Sequence, residues 1–327
     1  MKRTITILSF LLLLIACTPY GVTKVNLRKA FRQKTSAKDL YARVDVIPLR
    51  VPEGVRIGPE ETMLEVAADR FFLLNQEKDT ILVFDGAGEY MTAIRSEEPV
   101  IDFSPYLDRA LTVLTAHAIT EYAIRDGSAL GNYPIRDNDI DLQCATRIGE
   151  QWIDLLGSKA GKAYGCVYYV DQKRLDSSEM MASLHSVMPA FEVQDSRYFH
   201  DRDSCYMFTS QSCLVFKFNR DLYFAGLAFE PDFGEEEIHF INAQKAGDCF
   251  YFAFEKDGES GVLVCNFKNG KYKAVRKTKE GTIFPLGVIR DGVNYYFCPA
   301  CRLEEYVLPG TVTLPKDTEY ILLKYTL

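Results

Sequence analysis

RFFLLNQEKDTILVFDGAGEYMTAI, residues 70–94, is the stretch whose reading decides the fold. Arg70–Asn75 is a compact apolar run and Gln76–Asp79 a polar turn. Thr80–Asp85 is a second run, mixing β-branched and aromatic residues. Asp85-Gly86-Ala87-Gly88 is a Gly-rich turn, and Glu89–Ile94 is a third run. Short runs of this composition, broken by turn residues, read as two hairpins in series, which is an antiparallel meander.

The pattern recurs along the chain. Ala110–Thr115, His117–Ile124 and Ala129–Ile135 form a second set; Cys205–Thr209, Cys213–Phe218 and Leu222–Phe229 another; Asp248–Phe254, Gly261–Phe267 and Tyr272–Val275 another. A weaker set spans residues 142–170 and holds Trp152, the one tryptophan. One more apolar run precedes each set, such as Val100–Phe103, Ile238–Ile241 or Ile283–Ile289. Four strands per unit at a spacing of about 40–50 residues is the period of a β-propeller. Unit starts near residues 60, 100, 139, 190, 238 and 283 give six. Each four-stranded sheet has two apolar faces that only its neighbours can cover. The last unit lacks an adjacent third strand. Glu319–Leu327 is expected to supply it, and Arg43–Leu49 the outermost strand, so that both chain ends close one sheet and remove its edges. Two β-sandwiches are the competing architecture for strands at this spacing. Asp176–His185 and Arg302–Val307 read as helical insertions.

The N-terminus reads as a secretory signal. Lys2 and Arg3 precede an apolar core, Ile5–Ile15, which is too short for a membrane span of about 20 residues. Leu14-Ile15-Ala16-Cys17 has the form of a lipobox, with Cys17 as the acylated residue. Residues 1–16 are thus expected to be a lipoprotein signal peptide, 17–39 a lipidated tether, and 40–327 the propeller. The tether carries Lys24, Arg28, Lys29, Arg32, Lys34 and Lys38, suited to anionic head groups. Beyond the signal, 36 basic residues face 45 acidic ones, a net charge of −9. Phosphate binding needs clustered Lys and Arg; no such stripe is visible, and nucleic acid is not an expected partner. With 47% hydrophobic residues the chain can build a sizeable core.

"YARVDVIPLR" (41–50), the residue 70–94 stretch and the terminal "EYILLKYTL" (319–327) together resemble the extracytoplasmic six-bladed β-propeller lipoproteins of Bacteroidota, of the TolB-like kind. The resemblance implies the fold and an envelope location, without a reaction. Many relatives carry a Gly-Pro-Gly-Glu-Tyr-like loop after the first blade; here the place reads Arg95-Ser96-Glu97-Glu98-Pro99. The residues after Cys17 are Thr-Pro-Tyr-Gly, without the acidic cluster linked with surface export in that group. An outer-membrane lipoprotein facing the periplasm is the expected location.

Eight cysteines remain after Cys17, an even number in an oxidising compartment. Cys205 with Cys213, and Cys249 with Cys265, flank turns and would lie nearly opposite on neighbouring strands. Two readings stand for them: cross-strand disulfides, or small buried hydrophobes. Cys298-Pro299-Ala300-Cys301 follows a strand and precedes a short helix, which offers a thiol-exchange role, a local disulfide or two plain thiols. It lacks the further ligands zinc needs. His117, His185, His200 and His239 are scattered. Glu235–Glu237 and Asp137–Asp139 lack calcium-loop spacing. Tyr198, Phe199, His200 and Arg202 mix aromatic and charged groups and read either as a binding loop for a sugar or peptide or as a strand start. No catalytic residue, metal or cofactor is expected. The functional expectation is a non-catalytic binding or scaffold module for a protein or glycan. The alternatives are a metal-dependent hydrolase or lyase in the propeller funnel, with Asp102 and Asn242 as inward-pointing positions, and thiol exchange at Cys298 and Cys301.

Overall fold

The structure is a computed structural model that describes residues 24–26, 30, 36–58, 63–135, 139–147, 150–160, 162–179, 197–201, 204–209, 214–218, 224–232, 238–256, 258–266, 268–276, 282–307 and 312–327. It is a closed ring of six antiparallel sheets. After β1 (Lys24–Asn26) and β2 (Arg43–Leu49), the first blade is β3 (Leu64–Ala67), β4 (Arg70–Leu74), β5 (Thr80–Asp85) and β6 (Tyr90–Arg95). The second is β7 (Asp102–Tyr106), β8 (Ala110–Leu114), β9 (Ala118–Ala123) and β10 (Ala129–Pro134). The third is β11 (Asp141–Arg147), β12 (Trp152–Lys159), β13 (Lys162–Tyr169) and β14 (Arg174–Glu179). The fourth is β15 (Arg197–Asp201), β16 (Ser204–Thr209), β17 (Leu214–Phe218) and β18 (Phe224–Asp232). The fifth is β19 (His239–Ala246), β20 (Cys249–Lys256), β21 (Glu259–Asn266) and β22 (Lys271–Arg276). The sixth holds β23 (Val288–Arg290), β24 (Val293–Pro299) and β25 (Tyr320–Thr326), in the order β2-β25-β24-β23. The innermost strands touch in sequence, β3 to β7, β11, β15, β19, β23 and back to β3, which closes the circle.

Local chemistry sets the strands of the opening stretch. Asn75 Oδ1 accepts from the N–H groups of Asp79 and Thr80 at 3.0 and 2.9 Å, folding the polar turn between β4 and β5. Asp85 Oδ1 accepts from Ala87 and Glu89, both at 2.9 Å, and folds the next turn. Between the turns, β5 is buried on both faces: Ile81 and Val83 pack toward the second blade, Leu82 and Phe84 toward the sixth. The same alternation fills the other seams with apolar side chains. Phe208, Phe240, Phe252 and Phe254 pack between blades four and five.

Ring closure has the expected form. Arg43 pairs with Thr326 and Leu49 with Tyr320, while β25 also pairs along its length with β24. Ile321, Leu322 and Leu323 are fully buried, and the strand divides them between two seams.

Several expectations need correction. Asp176–Glu179 lies in β14, the outer strand of the third blade, instead of starting a helix; residues 180–185 fall outside the described residues. Arg302–Val307 does hold a helical turn, Leu303–Tyr306, after a 3-10 turn at Ala300–Arg302. Residues expected as tether also lie against the ring. Lys24–Asn26 adds to the outer edge of the fourth blade, parallel to β18, and Ala30 and Ala37 are buried against blades four to six. Six residues separate Cys17 from β1.

The cysteine pairings are corrected by register. Phe250 lies opposite Cys265, and Cys249 opposite Asn266, so the two cysteines point to opposite faces of the sheet. Cys205 pairs with Phe218 on β17; its expected partner Cys213 lies outside the described residues. Cys205, Cys249, Cys265, Cys298 and Cys301 are free thiols.

Candidate functional site: the central channel

A propeller leaves a channel where its innermost strands converge. Here it encloses about 710 Å³, within the range of small-molecule sites. The starts of the innermost strands supply its polar wall: Glu65, Asp102, Asp141, Gln143, Arg197 and Asn242. Met63, Ile101 and Ile241 add apolar surface. A β-bulge between Phe240 and Asn242 reorients Ile241, which remains 45% exposed.

Much of this polar wall is already engaged in joining blades. Asp102 Oδ2 accepts from the Ala145 N–H at 2.8 Å, and Ser104 Oγ donates to the Ala145 carbonyl at 3.1 Å, tying the second blade to the third. Thr146 Oγ1 meets His200 Nε2 at 2.7 Å, between the third and fourth. Asn242 Nδ2 donates to the carbonyls of Leu286 and Gly287 at 3.2 and 3.1 Å, and Gln244 Oε1 accepts from Ile289 N–H at 3.1 Å, between the fifth and sixth. Near the far ends of the innermost strands, ion pairs take over. Lys245 meets Asp201, Arg147 meets Glu121 behind a nearly dry seam, and Arg290 lies 3.8 Å from Asp108.

Glu65 and Arg197 are different. Glu65 stands on the first blade and Arg197 on the fourth, across the six-membered ring, and neither forms an ion pair among the described residues. Burial pushes the Glu65 carboxyl up to about 8, helped by the charge of Asp102 and opposed by Arg290 and Arg197. Burial likewise raises Asp102 to about 7, against the Ala145 N–H and the Arg197 charge. Deeper in, burial holds Asp154 well above the carboxylate range. His200 falls to about 4 through burial and the Arg290 charge, so it is neutral at pH 7.

Of the sequence candidates, Tyr198 alone from the aromatic group lines the channel; it and Phe199 and His200 belong to β15, a strand instead of a loop. Phe199 packs on Tyr206 in the seam, and Arg202 lies outside the described residues, as does Cys17. Asp102 and Asn242 point inward as expected. Cys298 is buried at the end of β24, where burial pushes its thiol up to about 12, while Cys301 is exposed. Glu65, Gln143 and Arg197 were not singled out by the sequence reading. The available signal was a charged or amide side chain within the first run of a unit, the same signal that marked Asp102. Among the described residues no group of three His, Cys, Asp or Glu side chains converges.

Fold and channel together define a six-bladed β-propeller with a charged central cavity. The same fold occurs in an exported protein from Bacteroides fragilis, at TM-score 0.67 and 10% identity, over 89% of this chain and 96% of that one. It occurs in a member of the DUF4221 family from Bacteroides vulgatus, at TM-score 0.52 and 10% identity, over 87% and 96%. A luciferin-regenerating enzyme shares it at TM-score 0.50 and 9% identity, over 87% and 96%. No family model matches the sequence, and no curated protein is similar to it at a significant level.

Proposed function

We infer that this protein is a non-catalytic binding module of the bacterial cell envelope, anchored through acyl chains on Cys17 and engaging a protein or glycan partner at the channel mouth. The carrying observation is the division of labour along the inner strands. Asp102, Asn242, Gln244 and Thr146 are engaged between blades, while the mouth keeps a free charged and amide surface. The lyase or hydrolase alternative relied on Asp102 and Asn242 as open positions; both already hold neighbouring backbone. Thiol exchange needs a depressed thiol pKa, and Cys298 is shifted the opposite way.

An envelope location is supported by the signal and lipobox pattern at residues 1–17 and by the likeness in fold to the exported protein of Bacteroides fragilis. An outer-membrane site on the periplasmic side, and kinship with TolB-like lipoproteins, follow from the resemblance at residues 41–50, 70–94 and 319–327. With only six residues between Cys17 and β1, the outer edge of the fourth blade would sit no more than about 25 Å from the lipid surface.

Two measurements test this. Full-length chain should partition with membranes and incorporate an alkyne-labelled fatty acid; Cys17→Ala should do neither. Immobilised full chain should bind a component of the periplasmic protein or envelope glycan fraction, and Gln143→Trp, which fills the mouth without touching a blade-joining bond, should abolish binding at unchanged melting temperature. Equal binding by Gln143→Trp would place the partner elsewhere and overturn the reading.

A further inference from the structure

The mouth is electrically divided. Glu65, Asp102 and Asp141 come from blades one to three, Arg197 from blade four, and blades five and six contribute amides and apolar groups. Among the described residues Glu65, Asp141 and Arg197 form no side-chain bond that joins blades, and Asp102 uses only one carboxyl oxygen for that purpose. A wall of this kind recognises a ligand carrying both charges a short distance apart, with the cation held by carboxyl oxygens that its charge draws into their ionised form and the anion against a guanidinium. Ile101, Ile241 and Met63 lie on the same surface and offer contact to an apolar side chain.

Resting on the binding reading above, we propose that the channel mouth binds a small zwitterion, an amino acid or short peptide, with its ammonium group at Glu65 and Asp102 and its carboxylate at Arg197. The volume of about 710 Å³ leaves room for more than one residue. Arg197 acts on Glu65 and Asp102 through its charge, yet among the described residues it forms an ion pair with neither, so its guanidinium donors stay open to a carboxylate.

The experiment is calorimetric titration of the full chain at pH 7 with alanyl-leucine, its N-acetyl form and its C-terminal amide. The free dipeptide should bind with release of protons to the buffer, as its ammonium group ionises Glu65 and Asp102, and each blocked form should bind about tenfold more weakly or worse. Glu65→Gln should erase the difference between free and N-acetyl forms, and Arg197→Gln that between the free and amidated forms. These two variants leave the blade-joining bonds described above intact, and circular dichroism checks their folding. Equal affinity for all three forms, or no heat with any of them at millimolar concentration, overturns the proposal. Should dipeptides fail while Gln143→Trp still abolishes partner binding, only the ligand class is wrong; if Gln143→Trp changes nothing, the binding reading fails as well.

Discussion

Side chains that titrate far from their ordinary range tie stability to pH. Glu65 moves from 4.5 to about 8 and Asp102 from 3.8 to about 7. Between those values the folded chain keeps protons that the unfolded chain has lost, so stability falls as pH rises through neutrality. His200 moves the other way, from 6.5 to about 4. Below pH 6.5 the unfolded chain takes a proton that the folded one refuses, so stability falls as pH drops toward 4. The two windows overlap between about pH 4.5 and 6.5, where two carboxyls outweigh one imidazole, so urea midpoints should fall as pH rises from about 4.5 and fall more steeply once it passes 6.5. Glu65→Gln should make the whole fall shallower, and His200→Gln, which can still bond Thr146, should make it steeper below pH 6.5. Unchanged profiles would mean that neither group is shifted. The Arg147–Glu121 pair has side chains only 7% and 5% exposed; Tyr133 also donates to Glu121 at 2.9 Å, and Arg147 lies over the Tyr106 ring at 5.1 Å. Glu121→Ala should cost about 3–5 kcal/mol, because it removes the carboxylate that faces a buried guanidinium. Glu121→Leu with Arg147→Met should recover most of that loss, which a double-mutant cycle by urea denaturation would resolve.

Elements were the most legible level of the sequence, because a strand buried on both faces shows as a dense apolar run between turn residues. β4, β5, β8, β20 and β21 were readable for that reason, as was the joining of β2 to β25. Register was not legible. Whether Cys249 faces Cys265 depends on where the connection between Lys256 and Glu259 places its pivot, and a shift of one residue reverses the face. β14 was misread because Asp176-Ser177-Ser178-Glu179 has the polar start of a helix, while its pairing with β13 comes from tertiary context that propensity does not contain. Glu65 escaped notice for a related reason: its strand of four residues, β3, is too short to show alternation. Gly88 shows what a turn can hide. It has φ +86°, and a Cβ there would meet the Pro48 carbonyl oxygen at 2.3 Å, while its own carbonyl accepts from Arg50 N–H at 3.0 Å. This turn of blade one thus seats against the end of β2 in blade six. Gly270 shares the left-handed geometry, φ +66°, with nothing near its missing Cβ. Gly270→Ala should cost about 1–3 kcal/mol from backbone strain alone. Gly88→Ala should cost more, since the closing joint must also shift. Thermal melts of the two variants give the comparison, and equal losses would show that the contact with Pro48 is dispensable.

For the molecule as a whole, the decisive joint is the sixth blade, because it is where the two ends of a long chain meet. Five blades are continuous hairpins that local contacts can hold. The sixth depends on β25 entering between β24 and β2, a pairing across nearly the whole sequence. Opening the ring there exposes the edges of β24 and β25 and the seams on both sides, so unfolding should begin at this joint. Asp45 and Lys324 lie directly opposite in the β2–β25 pairing, and both are partly accessible. Replacing both with Cys should allow a disulfide, since opposed antiparallel Cα atoms are about 4.5–5.5 Å apart. The oxidised form should gain about 2–4 kcal/mol over its reduced form and unfold more slowly. The control is Glu255→Cys with Ser260→Cys, an opposed pair across one hairpin of the fifth blade. That bond closes a short local loop and leaves the ring joint free, so it should slow unfolding little. Unfolding rates measured after a urea jump, oxidised against reduced, separate the cases: equal slowing by both bonds would show that the ring does not open first where its ends meet.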